Sequence, residues 1–146
     1  MFVESLLPAA RERLVTIADD APLIEVATLL HTGTDLVVVC NASGVLVGVI
    51  TKTDIVRHVS QCQGAGCVIA ASLAMTCDIA SCRPGDPLQD VWARMKERDL
   101  KNLPVVGPDL RPLGTLNARD VLQVLLKDSK YEEAMLRDYV MGLGYR

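Results

Sequence analysis

The chain has 146 residues, of which 50% are hydrophobic and 3% aromatic, and its net charge is −3, which fits one domain with an adequate core. The acidic balance, the lack of a basic block and the scarcity of rings for base stacking argue against nucleic-acid binding. No apolar run approaches the roughly 18–20 residues that span a bilayer, and Met1-Phe2-Val3-Glu4-Ser5 has no basic signal-peptide start, so the expectation is a cytoplasmic protein without a membrane segment.

In chain order, residues 2–13 are expected to form a short helix, started or interrupted by Pro8. Residues 14–17 make a minimal strand. Asp19-Asp20-Ala21-Pro22 is a turn that sets Pro22 near the first helical position. Leu23, Val26, Ala27 and Leu30 then recur at helical spacing, and Gly33 ends that helix. The β-branched run 36–40 reads as a buried strand. After the turn Asn41-Ala42-Ser43-Gly44, residues 45–50 return antiparallel to it, and residues 51–60 form a helix. Residues 61–67 are polar and glycine-bearing, which marks a connection, and residues 68–75 form a small apolar helix.

The same order then recurs. Residues 79–82 are a minimal strand, Arg83-Pro84-Gly85-Asp86-Pro87 a turn, and Leu88, Val91, Trp92 and Met95 mark a helix. Residues 103–106 form a buried strand in which Pro104 signals an edge or a bulge. Residues 107–109 turn the chain, residues 113–116 return, and residues 117–127 close the copy with a helix. The tail, residues 131–141, carries an amphipathic pattern that suits a helix docked on the body.

Two stretches stand at the centre of this order: Gly48-Val49-Ile50-Thr51-Lys52-Thr53-Asp54 and Gly114-Thr115-Leu116-Asn117-Ala118-Arg119-Asp120. Their glycines and their aspartates are each 66 positions apart, so one supersecondary unit is used twice. Each stretch lies where a strand passes into a helix. Thr51 and Asn117 are good N-cap residues, and Asp54 and Asp120 fall three residues on, as in a capping box. The alternative is a ligand site: a helix N-terminus favours phosphate, and an Asp one turn in can accept hydrogen bonds from the two hydroxyls of a ribose. No glycine-rich phosphate loop and no nucleophile–base pair is recognisable, so no enzyme is expected. The five cysteines, Cys40, Cys62, Cys67, Cys77 and Cys82, are an odd number with loose spacing, so they read as free thiols and not as a disulfide framework or a zinc site.

The duplicated unit resembles a pair of CBS domains (cystathionine-β-synthase domains, together a Bateman module) over about residues 3–128. The likeness rests on Asp86-Pro87-Leu88, on Leu103-Pro104-Val105-Val106 and on the two junctions. It implies an α/β (α+β) fold, a tandem CBS-domain pair of two β-α-β-β-α repeats with pseudo-two-fold symmetry. The divisions would be residues 3–60 and 73–128 for the repeats, 61–72 for the linker and 129–146 for a helical tail. The chain is also similar to small stand-alone bacterial CBS-pair proteins.

The resemblance further implies a regulatory module that senses an adenosine ligand (AMP, ADP, ATP, NAD or S-adenosylmethionine) without catalysis and requires no cofactor. It also implies a homodimer through the CBS helices and a regulated protein partner. One cleft would use Val49, Thr51 and Asp54, completed by Ala80, Leu100 and Lys101; the other would use Thr115, Asn117 and Asp120, completed by Val15, Thr34 and Asp35. Asn117 departs from the Ser or Thr usual there. The competing reading is a structural dimerisation module whose aspartates only cap helices. The clefts are expected to be unequal, with the Asp54 cleft the stronger for a phosphorylated nucleotide: Lys101 and Lys52 stand at its entrance, whereas Asp35 stands at the other.

Overall fold

A computed structural model gives the architecture and describes residues 1–31, 33–62 and 69–128. The expected tail helix and residues 63–68, which include Cys67 and Val68, lie outside the described residues. The first repeat is β1 (Thr16–Ala18), α2 (Leu23–His31), β2 (Leu36–Cys40), β3 (Leu46–Thr51) and α3 (Lys52–Cys62), preceded by a 3-10 turn and α1 (Leu7–Arg13). A one-turn helix, α4 (Ala71–Ala74), leads into α5 (Leu88–Glu97), β4 (Asn102–Val106) and β5 (Pro112–Asn117). A last helix, α6, covers residues 118–128.

The periodicities account for the elements. α2 buries Leu23, Val26 and Leu30, and α5 buries Leu88, Val91 and Met95, the same stripe at the same spacing. Leu36 to Val39 of β2 are all buried, as a strand covered on both faces must be. β1 runs parallel to β2, which pairs antiparallel with β3; β4 pairs antiparallel with β5. The register slips at corresponding places in the two hairpins, between Val39 and Cys40 and between Val105 and Val106. That repeated bulge is independent evidence that one unit has been used twice.

The two copies differ at their first strand. The expected strand over residues 79–82 is reduced to one bridge, Cys82 to Val105. The cause is proline. In the first repeat the outer ladder bonds run from the Val38 N–H to the Val15 carbonyl (2.8 Å) and from the Asp19 N–H to the Cys40 carbonyl (2.9 Å). Pro104 and Pro84 hold the positions of those two donors in the second repeat, and proline has no N–H. What survives is the inner pair: the Cys82 N–H donates to the Pro104 carbonyl (3.0 Å) and the Val106 N–H to the Cys82 carbonyl (2.9 Å). β1 itself starts two residues later than the sequence pattern indicates.

Each repeat borrows its leading segment from elsewhere in the chain. The Val3 N–H donates to Asp86 O (3.0 Å), the Glu4 N–H to Pro84 O (2.9 Å) and the Leu88 N–H to Met1 O (2.9 Å). The same three bonds recur around the other repeat: Ala71 to Ala21 (2.7 Å), Ser72 to Asp19 (3.0 Å) and Leu23 to Ile69 (2.8 Å). So the N-terminal segment packs on the second repeat, where Val3 and Ala10 join Leu88, Val91, Met95, Leu103 and Leu116 in one core. Ala71 joins Leu23, Val26, Leu30, Val37 and Ile50 in the other. A third cluster, centred on Leu36, Val38 and Val49 with Leu14 and Ile79 against it, spans the join between repeats. Gly48 and Gly114 permit this exchange. A Cβ on Gly48 would run into the Met75 side chain, and one on Gly114 would lie 2.7 Å from the Ala10 Cβ and 2.8 Å from its carbonyl carbon. Among the described residues no helix is long and apolar enough to cross a membrane.

Candidate functional site

At the first junction β3 ends at Thr51 and α3 begins at Lys52, which sets Asp54 in the first helical turn. Asp54 is 8% exposed. Its Oδ2 accepts from the Thr51 N–H (3.0 Å) and from the Thr51 hydroxyl (3.3 Å). Its Oδ1 accepts from the Thr76 hydroxyl (3.2 Å), with Arg57 3.7 Å away. The first of these bonds is half of a capping box, so the capping role expected of Asp54 is present. Thr76 arrives because its backbone pairs with Val49 along the free edge of β3.

The second junction is built differently. Here Asn117 caps the helix: its Oδ1 accepts from the Arg119 N–H (2.9 Å), and its Nδ2 donates to Asn102 Oδ1 (3.1 Å). Asp120 plays no part in that cap. It accepts two hydrogen bonds from Arg13, from Nε to Oδ2 (2.8 Å) and from an Nη to Oδ1 (3.2 Å). These bonds, and the charge of Asp120 beside it, hold the Arg13 guanidinium above its ordinary pKa against the opposing effect of burial.

Between the repeats the first cleft encloses about 250 Å³. Val49, Thr51 and Asp54 line it from one side, and Ala80 and Leu100 from the other, so five of its six expected residues come together. Lys101 lines an adjoining mouth with Thr51, Lys52 and Leu100. Beyond the expected set, Leu36, Thr76, Ile79, Asn102 and Pro104 line the first cleft, together with Thr53 and the charged Arg57 and Asp78. Leu36 and Asn102 were within reach of the sequence, since they open β2 and β4 directly after the expected pairs Thr34-Asp35 and Leu100-Lys101. Thr76 gave no local signal; only the path of the chain after α4 brings it in.

The second cleft encloses about 220 Å³ and gathers Val15, Thr34, Asp35 and Thr115, four of its six expected residues. Asn117 and Asp120 do not line it; Asn102 and Arg13, to which they are bonded, do. The expected electrostatic contrast between entrances is corrected. Asp35 lines the mouth of the first cleft as well as the second, and its Oδ1 is 3.9 Å from Lys52 Nζ. One carboxylate therefore stands between both entrances, and the inequality of the clefts lies at their aspartates instead.

Cys40, Cys77 and Cys82 are free. Burial pushes the Cys82 thiol up to about 12, and burial raises Cys40 as well. Among the described residues no group of three or more His, Cys, Asp or Glu side chains is placed to hold a metal ion. The side chain of Cys62 and the whole of Cys67 lie outside the described residues.

Comparison with known proteins agrees with the geometry. The family model of the CBS domain matches the chain twice, over residues 3–61 and 70–127. No curated protein matches it by sequence. A CBS-domain containing protein from Agrobacterium tumefaciens is similar in structure, with a TM-score of 0.72, 29% identity, and 84% of this chain and 91% of that one covered. The CBS domain pair of protein MJ0100, solved in complex with 5'-methylthioadenosine and S-adenosyl-L-methionine, gives a TM-score of 0.72 at 19% identity, covering 88% of this chain and 98% of that one. The cytosolic domain of the Mg2+ channel MgtE, solved in complex with ATP, gives 0.65 at 22% identity, covering 77% of this chain and 45% of that one.

Proposed function

Because the chain belongs to the CBS-domain family and carries two such domains in tandem, we propose that it is a regulatory module that binds an adenosine-containing small molecule and catalyses no reaction. The observation that carries this reading is the first cleft, where a buried carboxylate faces aliphatic walls from both repeats. Leu36 and Val49 on one side and Ile79, Ala80, Leu100 and Pro104 on the other offer a slot for a flat base. Asp54 is the acceptor for a ribose diol: two of its three protein hydrogen bonds come from hydroxyls, those of Thr51 and Thr76, which sugar hydroxyls can replace without loss of a charge-assisted bond. Lys52 and Lys101, with Asp35 and Asp99 beside them, line the adjoining mouth, where phosphates of AMP, ADP, ATP or NAD would emerge. The adenosine compounds bound by the MJ0100 and MgtE domains support the same ligand class.

The reading includes a homodimer. Val56 (66% exposed) and Val59 on α3 stand out as apolar, and so do Leu122 and Leu126 on α6. Val56 and Leu122 hold equivalent positions 66 residues apart, so one two-fold-related copy can cover both patches at once. A regulated protein partner, in the cytoplasm, completes the proposal.

The test is a melting-temperature screen against AMP, ADP, ATP, NAD, S-adenosylmethionine and 5'-methylthioadenosine. A ligand at about 100 times its Kd stabilises by about 2.7 kcal/mol, which is a readable shift. No shift with any adenosine compound at millimolar concentration would refute the reading and favour a purely structural module.

A further inference from the structure

We infer that Arg13 is a latch on the second cleft, and that occupancy of this cleft and docking of the N-terminal helix oppose one another. The inference rests on the adenosine-binding reading for its ligand, but not for its geometry. Asp120 holds the place in α6 that Asp54 holds in α3. Asp54 lines its own cleft; in the second cleft the residue that lines the wall is Arg13, and both carboxylate oxygens of Asp120 are engaged by its guanidinium, at 2.8 and 3.2 Å. Thr115 lines the same cleft at 2% exposure, and its hydroxyl has no hydrogen-bond partner among the described residues. The second cleft thus offers an unsatisfied hydroxyl, and the carboxylate bonded to its Arg13 wall is already taken.

A ribose diol that reaches for Asp120 has to displace Arg13 first. Arg13 is the last residue of α1, and α1 lies against β5, with Ala10 seated on Gly114. Separating Arg13 from Asp120 therefore releases the end of this helix from the second repeat. The other charges on this cleft, Glu12 and Asp35, are acidic and help to hold a guanidinium in place, while Lys52, across the mouth, is paired with Asp35. By linkage, whatever weakens helix docking strengthens ligand binding here, and a bound ligand loosens the helix by the same factor. Arg13 is on this account the occupancy-determining residue of the second cleft; in the first cleft the cation facing Asp54 is Arg57, at 3.7 Å, which comes from α3 itself and so ties no other element to the carboxylate.

The test uses adenosine, a neutral probe, so that loss of the guanidinium removes no attraction for a phosphate. Calorimetric titration of the full chain carrying Asp54→Ala reads the second cleft alone. Adding Arg13→Gln is expected to tighten adenosine about tenfold, the value of a charge-assisted pair that no longer has to be broken. Arg13→Lys, which keeps the charge and loses the fork, is expected to fall between. Amide exchange over residues 7–13 is expected to rise when the second cleft of a protein retaining Arg13 is saturated. Equal adenosine affinity with and without Arg13→Gln, in variants with unchanged circular dichroism, overturns the latch alone. Failure of the unaltered protein to bind either AMP or adenosine overturns the adenosine-binding reading and the latch with it.

Discussion

Replacing Gly114 with alanine tests the packing that brings the two halves of the chain together. The new methyl carbon would lie 2.7 Å from the Ala10 Cβ, 2.8 Å from its carbonyl carbon and 2.9 Å from its carbonyl oxygen. Two of those three atoms are backbone, so relief requires α1 to move off β5. Overpacking of this kind costs about 1–3 kcal/mol, and the lower entropy of the unfolded alanine chain returns only about 0.4–1 kcal/mol. The net loss is about 1 kcal/mol, which for a chain of this size lowers Tm by roughly 2–4 °C. The assay is a denaturant midpoint together with a thermal scan, on Gly114→Ala and on Gly48→Ala. The comparison sharpens the test, because a Cβ on Gly48 meets only the Met75 side chain. Met75→Ala should therefore restore Gly48→Ala to near the stability of Met75→Ala alone. Ala10→Gly removes one of the three contacts of the Gly114 methyl and should restore little. If Ala10→Gly fully rescues Gly114→Ala, the backbone approach of α1 to β5 is not what the glycine permits.

Three further outcomes follow. Asn117→Ala removes the cap on Arg119 and the bond to Asn102 and should cost about 1 kcal/mol in a denaturant titration. Since the native Cys82 thiol keeps its proton up to about pH 12, a proton the unfolded chain gives up sooner, its contribution to stability should be present at pH 8 and fall as pH rises towards 12. Cys82→Ala should flatten that part of the profile, and at pH 8 iodoacetamide should modify the exposed Cys77 well before Cys82. Val56→Glu combined with Leu122→Glu should convert a dimer to a monomer in light scattering at micromolar concentration; a monomeric mass for the unaltered chain would remove the dimer from the account.

Much of this architecture is legible in the sequence because it is written twice. The bounds of β2 follow from its β-branched run, and α2 and α5 follow from three apolar residues at helical spacing. What escapes is long-range. Pro104 announces an edge, but the loss of the strand over residues 79–82 also needs Pro84, and only the parallel register shows that the two prolines delete donors on the same ladder. Gly48 and Gly114 are conspicuous at the junctions, yet their reason lies in segments that cross from one repeat to the other. Nothing local to Asp120 foretells its engagement by Arg13, 107 positions away. The expected contrast at the cleft entrances fails for the same cause: Asp35 was placed by repeat alignment, which cannot show that one side chain borders both mouths.

The central claim is that Asp54 is an acceptor for a ligand and not only a helix cap. Calorimetric titration of Asp54→Asn with the adenosine compound that most raises the melting temperature addresses it directly. The amide keeps the size of the side chain and one acceptor for the Thr51 N–H, so the helix start is largely preserved. The account predicts that the binding event at the first cleft weakens by about 10- to 150-fold, the loss of a charge-assisted hydrogen bond of roughly 1.5–3 kcal/mol. Unchanged affinity in a folded Asp54→Asn protein would contradict it and leave Asp54 with capping alone.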